Sequence, residues 1–148
     1  MAIDTLFIFS YLVVFIGLYE RTKNPSRLPA AIALGFGLAA GAFDLLENSY
    51  LTSYTLQALY GHQPTEPALP LIYVLSSMKW LSAFFTILLY GLLWQRDSPY
   101  NRTVSAAMLA FPLLGILTIA IPELLGIRAL PLVISMAMLA WSFRSTGQ

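Results

Sequence analysis

Long runs without a charged side chain constrain this chain more than any other feature. A membrane-spanning helix needs about 20 mostly apolar residues to cross a hydrocarbon core about 30 Å thick. Five stretches meet that requirement: about Ile3 to Tyr19, Leu28 to Asn48, Pro70 to Trp94, Val104 to Ile121 and Leu124 to Phe143. Backbone polar groups in lipid must be satisfied within the segment, which leaves helices or closed barrels. Barrel strands alternate apolar and polar residues over about ten positions. The stretch from Thr103 to Ile121 is continuously apolar instead. The expected fold is therefore all-α, a polytopic membrane helix bundle of about five transmembrane helices in one domain over residues 1–148.

Composition agrees. Hydrophobic residues make up 58% of the chain and charged residues 10%, against roughly 45–50% and 25% in soluble domains. The formal net charge is +1 and no basic run stands out, so nucleic acid is excluded as a partner. The absence of cysteine removes disulfides, thiolate metal sites and thiol nucleophiles. The first stretch has no basic region ahead of it and no small-x-small end, so it reads as a retained span rather than a signal peptide.

Lys and Arg set the orientation. Arg21, Lys23, Arg27, Arg96, Arg102 and Arg144 fall on one side, and Arg128 on the other. The positive-inside rule then places the N-terminus outside and the C-terminus in the cytoplasm. The expected location is a bacterial cytoplasmic (inner) membrane, with membrane lipids as partners. A homo-oligomer or a larger membrane complex would supply protein partners. The connection from Ser49 to Leu69 is expected as an outer loop, into which the second helix either continues past Asn48 or turns to lie along the surface. Its Tyr50, Tyr54 and Tyr60 suit the water–lipid interface, and Gly61 to Pro64 would break any continuing helix.

The second span carries the informative residues. Gly37 and Gly41 form G-x-x-x-G, a spacing that lets a neighbouring helix approach the backbone. Asp44 and Asn48 share their face, and Glu47 lies close by on the helical wheel. The third span has a matching seam of Ser76, Lys79, Ala83, Thr86 and Tyr90 at steps of 3, 4, 3 and 4. Asp44 is about 24 Å from the inner boundary, and Lys79 about 13–14 Å below the outer one. The lysine stem can snorkel outward over the gap. Adjacent antiparallel helices would therefore bring Lys79 to Asp44 or Glu47, with Asn48 and Ser76 as hydrogen-bond partners and Trp80 and Tyr73 as shields.

Charges inside a span are costly and usually mark a site or a partner. Two acids against one lysine leave one carboxylate uncompensated, or protonated by desolvation. Two roles follow: a charge pair that fixes helix register, or a site for a polar head group, proton or cation. The leading reading is a non-enzymatic accessory subunit, or a binder of lipid or another small amphiphile, built on Asp44, Glu47, Asn48, Ser76 and Lys79. The second is an oligomeric proton- or cation-coupled transporter or channel, and the third a small intramembrane enzyme. Ser76-Ser77-Met78-Lys79 matches S-x-x-K, but the companion motifs are missing, so no catalytic residue is assigned. His62 is the single histidine and sits in the expected loop, so no metal and no cofactor are expected. Pro112 and Pro131 are expected to kink their spans.

Overall fold

The computed structural model describes residues 2–24, 26–61, 68–120 and 137. Four helices follow one another: α1 (Ala2–Thr22), α2 (Arg27–Leu59), α3 (Ala68–Leu93) and α4 (Pro99–Ala120). There is no strand among the described residues. Three helical stretches, Asp4–Thr22, Arg27–Leu59 and Leu69–Leu93, are long and apolar enough to cross a membrane. The fourth expected span falls on α4, whose first turns carry Tyr100, Asn101, Arg102 and Thr103. The fifth, about 124–143, lies outside the described residues, and so does Pro131.

Each helix buries one stripe and leaves the opposite one apolar. On α1, Ile8, Tyr11, Phe15 and Leu18 recur at helical spacing and are buried, while Leu6 and Val13 are each 67% exposed. A helix that is apolar on all sides has no face for water. The outward leucines and valines of this bundle therefore meet lipid, which identifies an integral membrane protein.

Successive helices run antiparallel. Phe15 and Leu12 of α1 lie over Gly37 and Gly41 of α2; a Cβ at Gly37 would stand 2.6 Å from Phe15 Cδ2, and one at Gly41 3.0 Å from Leu12 Cδ2. Phe36 of α2 stacks on Phe85 of α3 with ring centroids 5.3 Å apart. Phe84 turns the other way, packing edge-on against Phe111 of α4. The core joins Tyr11, Phe15, Phe84, Tyr90, Met108 and Phe111, and among the described helices α3 touches α1, α2 and α4.

Two hydroxyls on α3 tie it across the core. Thr86 Oγ1 shares its proton between the Ser82 carbonyl of its own helix at 2.9 Å and the Ala33 carbonyl of α2 at 3.2 Å. Tyr90 Oη donates to the Phe15 carbonyl at 3.1 Å. At the charged end, Arg21 lies 4.6 Å from the centre of the Trp94 ring. Arg96 Nε donates to Ser105 Oγ, which in turn donates to the Gly91 carbonyl at 2.8 Å. The Asn101 amide donates to the Asp97 carboxylate and holds that carboxyl below its ordinary range.

One boundary moves from the expected span end, and of the two readings of the stretch after Asn48 the helix that runs on toward Gly61 is the one found. The expected outer loop from Ser49 is helical to Leu59, so α2 has 33 residues. The reason is local. Ser49, Thr52 and Thr55 hydroxyls donate to the carbonyls of Leu45, Asn48 and Leu51, each four residues back. Their polarity is absorbed by the helix and does not break it. The stop comes at Gly61, whose φ of +72° only glycine adopts without strain. Pro112 sits inside α4, which continues on both sides of it.

Candidate functional site

Asp44 and Glu47 lie on one side of α2, a helical turn apart, and α3 runs antiparallel beside them. Lys79 reaches both. Its Nζ is 3.1 Å from Asp44 Oδ1 and donates a second hydrogen bond to Glu47 Oε2. The three side chains keep 13%, 12% and 20% of their surface exposed, in the order Asp44, Glu47, Lys79. The ammonium therefore bridges two carboxylates in a largely dry setting, where an ion pair persists only if its remaining polar atoms are also partnered.

A third helix completes the partnering. Tyr11 Oη of α1 donates to Asp44 Oδ2 at 3.1 Å. Asp44 thus accepts from α3 with one oxygen and from α1 with the other, and it joins three helices at one point. The glycines set this up. With Leu12 seated on Gly41 and Phe15 on Gly37, Tyr11 is brought level with Asp44.

Sequence reasoning placed Asn48 and Ser76 as the additional hydrogen-bond partners. Among the described residues neither makes a side-chain hydrogen bond to Asp44, Glu47 or Lys79; the Asn48 carbonyl accepts from Thr52 instead. Both are half-buried beside the cluster. Tyr73 is 74% exposed and points away, so the shielding falls to Trp80, whose ring centre is 6.0 Å from Lys79 Nζ. Tyr11 was not among the candidates. The signal for it was a tyrosine on the same α1 face as Phe15, seven residues after Asp4.

A cleft of about 80 Å³ opens beside the cluster. Phe7, Tyr11 and Phe15 of α1 form one wall, Ala40 and Asp44 of α2 the floor, and Lys79, Trp80 and Ala83 of α3 the other wall. Ala83 was expected as a packing residue; it is half-buried and leaves room that a larger side chain would fill. Gly37 and Gly41 are buried under α1 and do not line the cleft. Four aromatic rings and two small residues thus surround a short polar edge of one carboxylate, one ammonium and one hydroxyl.

Among the described residues no group of His, Asp and Glu could hold a metal ion. His62 and Glu66 lie outside those residues. Comparison with family models, with curated proteins and with solved structures finds no match to this chain.

Proposed function

We propose that this chain holds a lipid or another small amphiphile in the cleft between α1, α2 and α3, without catalysis. It does so alone, as a homo-oligomer, or as an accessory subunit of a larger membrane complex. In this reading the chain crosses the membrane about five times, with its N-terminus outside and its C-terminus in the cytoplasm, in a bacterial inner membrane. The Lys79 bridge then lies near the outer end of the spans.

One observation carries the reading. An apolar cleft walled by aromatic rings has its few polar groups converging at one edge, which is the usual make-up of a small-molecule site. A charge pair that served only to fix helix register would need no such space beside it. Catalysis ranks low because, among the described residues, α4 contributes no side chain to the cleft.

The test is a comparison of purified wild type with Ala83→Phe, which fills the cleft and leaves every charge in place. Lipid and small-molecule content after detergent extraction is read by mass spectrometry. Wild type should retain an amphiphile at a fixed ratio, and Ala83→Phe should lose it while staying folded. Equal content in the two would remove the cleft as the site. Proton or cation flux in liposomes, lost in Asp44→Asn, would favour the transporter reading, which draws its support from the uncompensated carboxylate.

A further inference from the structure

We propose that the occupant of this cleft bears an ammonium group, a choline-like or ethanolamine-like head, seated between the aromatic rings and the Asp44 carboxylate. The proposal rests on the cleft being an amphiphile site and names the chemistry that the site selects.

Charge is the first argument. Asp44 and Glu47 carry two formal negative charges and Lys79 one positive charge. Lys79 is the only Lys or Arg between Arg27 and Arg96. Arg27 is 17 residues before Asp44 on the same helix, about 25 Å away at 1.5 Å per residue. The formal charges of the cluster sum to −1; Asp44 and Lys79 line the cleft, Glu47 draws the Lys79 ammonium toward itself, and a monovalent cation beside Asp44 brings the sum to zero.

The lining decides which cation. A hydrated metal ion asks for about six oxygen ligands. Among the described residues, the side-chain oxygens that line the cleft are those of Asp44 and the Tyr11 hydroxyl. The rest is ring face and methyl: Phe7, Phe15, Trp80, Ala40 and Ala83. Ring faces are negative and attract organic ammonium ions, which shed their weak hydration readily. Lys79 already sits at 6.0 Å from the Trp80 ring, so this ring face is in use by one ammonium at the cleft edge.

Access agrees. A cavity of about 150 Å³ holds a benzene ring, and a trimethylammonium head has about the same bulk. The 80 Å³ here takes in the ammonium end only in part, with the remainder of the molecule leaving past Phe7, which is 46% exposed. A membrane lipid and a free organic cation share this chemistry, and the experiment separates them.

The protein is reconstituted in nanodiscs of phosphatidylglycerol, which has no ammonium group. It is then challenged with phosphatidylcholine as a minor lipid, with free choline, and with 3,3-dimethylbutanol, the uncharged isostere of choline. Thermal midpoint and tryptophan fluorescence are read. Phosphatidylcholine, choline or both should raise the midpoint, and the isostere should not. Protection by the lipid alone identifies a lipid head, and protection by choline alone a free cation. Asp44→Asn should weaken the response at least tenfold. Phe7→Leu, at an exposed position with every charge retained, should weaken it about three- to tenfold. If the isostere protects as well as choline and Ala83→Phe abolishes both effects, the ammonium assignment is overturned while the amphiphile site stands. If no probe changes either readout, and Ala83→Phe loses no bound lipid, both are overturned.

Discussion

Replacing Lys79 by Met keeps the length of the stem and removes the charge, so it isolates what the bridge contributes. In the wild type the ammonium lies 3.1 Å from Asp44 Oδ1. Coulomb's law at an effective dielectric of about 20 gives about 5 kcal/mol of attraction for that contact. The Glu47 contact adds to it, and the cost of drying three charges offsets a large part. The variant leaves two carboxylates a helical turn apart, Asp44 with the Tyr11 hydroxyl and Glu47 without the ammonium, a formal charge of −2. Removing one member of a largely buried ion pair costs about 3–5 kcal/mol, and Lys79→Met should fall in that range. Glu47→Gln moves the cluster from −1 to neutral and keeps the Lys79–Asp44 pair, so it should cost about 1 kcal/mol or less, in the range of a single hydrogen bond. The double variant, which leaves Asp44 with Tyr11, should recover at least about 2 kcal/mol of the Lys79→Met loss by the same coupling. Unfolding in mixed micelles, followed by tryptophan fluorescence against denaturing detergent, measures all three. A Lys79→Met loss below about 1 kcal/mol, or a double variant no more stable than the single, refutes the bridge as a structural element.

Two further outcomes follow from the same geometry. A Cβ at Gly115 would stand 2.0 Å from Phe84 Cζ, whereas one at Gly35 meets nothing within 4 Å; Gly115→Ala should lose about 1–3 kcal/mol and Gly35→Ala should lose nothing in the same unfolding assay. Because the chain has no cysteine, single cysteines report the orientation: Ser53→Cys should react with an impermeant maleimide from outside intact cells, and Asn24→Cys only after permeabilisation, the reverse pattern overturning the topology.

The charged pair was legible because charges are scarce in these segments and the helical rise fixes their depth. Counting residues from the two boundaries brought Lys79 within several ångströms of the acids of α2, a gap its long stem can span. Tyr11 was not legible in the same way. A tyrosine in an apolar helix fits an interfacial anchor as well as a buried donor, and its role depends on which face α1 turns toward α2. That face is set by two contacts, Leu12 on Gly41 and Phe15 on Gly37. The glycines were visible in the sequence, but the side chains that use them were not. Gly91 and Gly115 give the corresponding close approaches between α3 and α4 and lie outside any G-x-x-x-G spacing. The end of α2 was left between two readings, a chain turning along the surface after Asn48 or a helix running on toward Gly61, because serine, threonine and tyrosine suit either. Hydroxyls that bond back one turn cost a helix little, and a positive-φ glycine is the stronger stop.

The length of α2 has a mechanical consequence. At 1.5 Å per residue its 33 residues reach about 50 Å, and no tilt within the usual 0–40° range confines that to a core about 30 Å thick. One end is moored by Arg27, with Arg21 and Lys23 close by in the chain. The other carries Tyr50, Tyr54 and Tyr60 and no charge between Asn48 and Thr65. A thinner or thicker bilayer therefore meets a fixed cationic mooring on one side and a neutral, tyrosine-lined mast on the other. The waterline can climb or fall along that mast without stranding a charge, and the depth of the Lys79 bridge below the surface follows the thickness of the membrane around it.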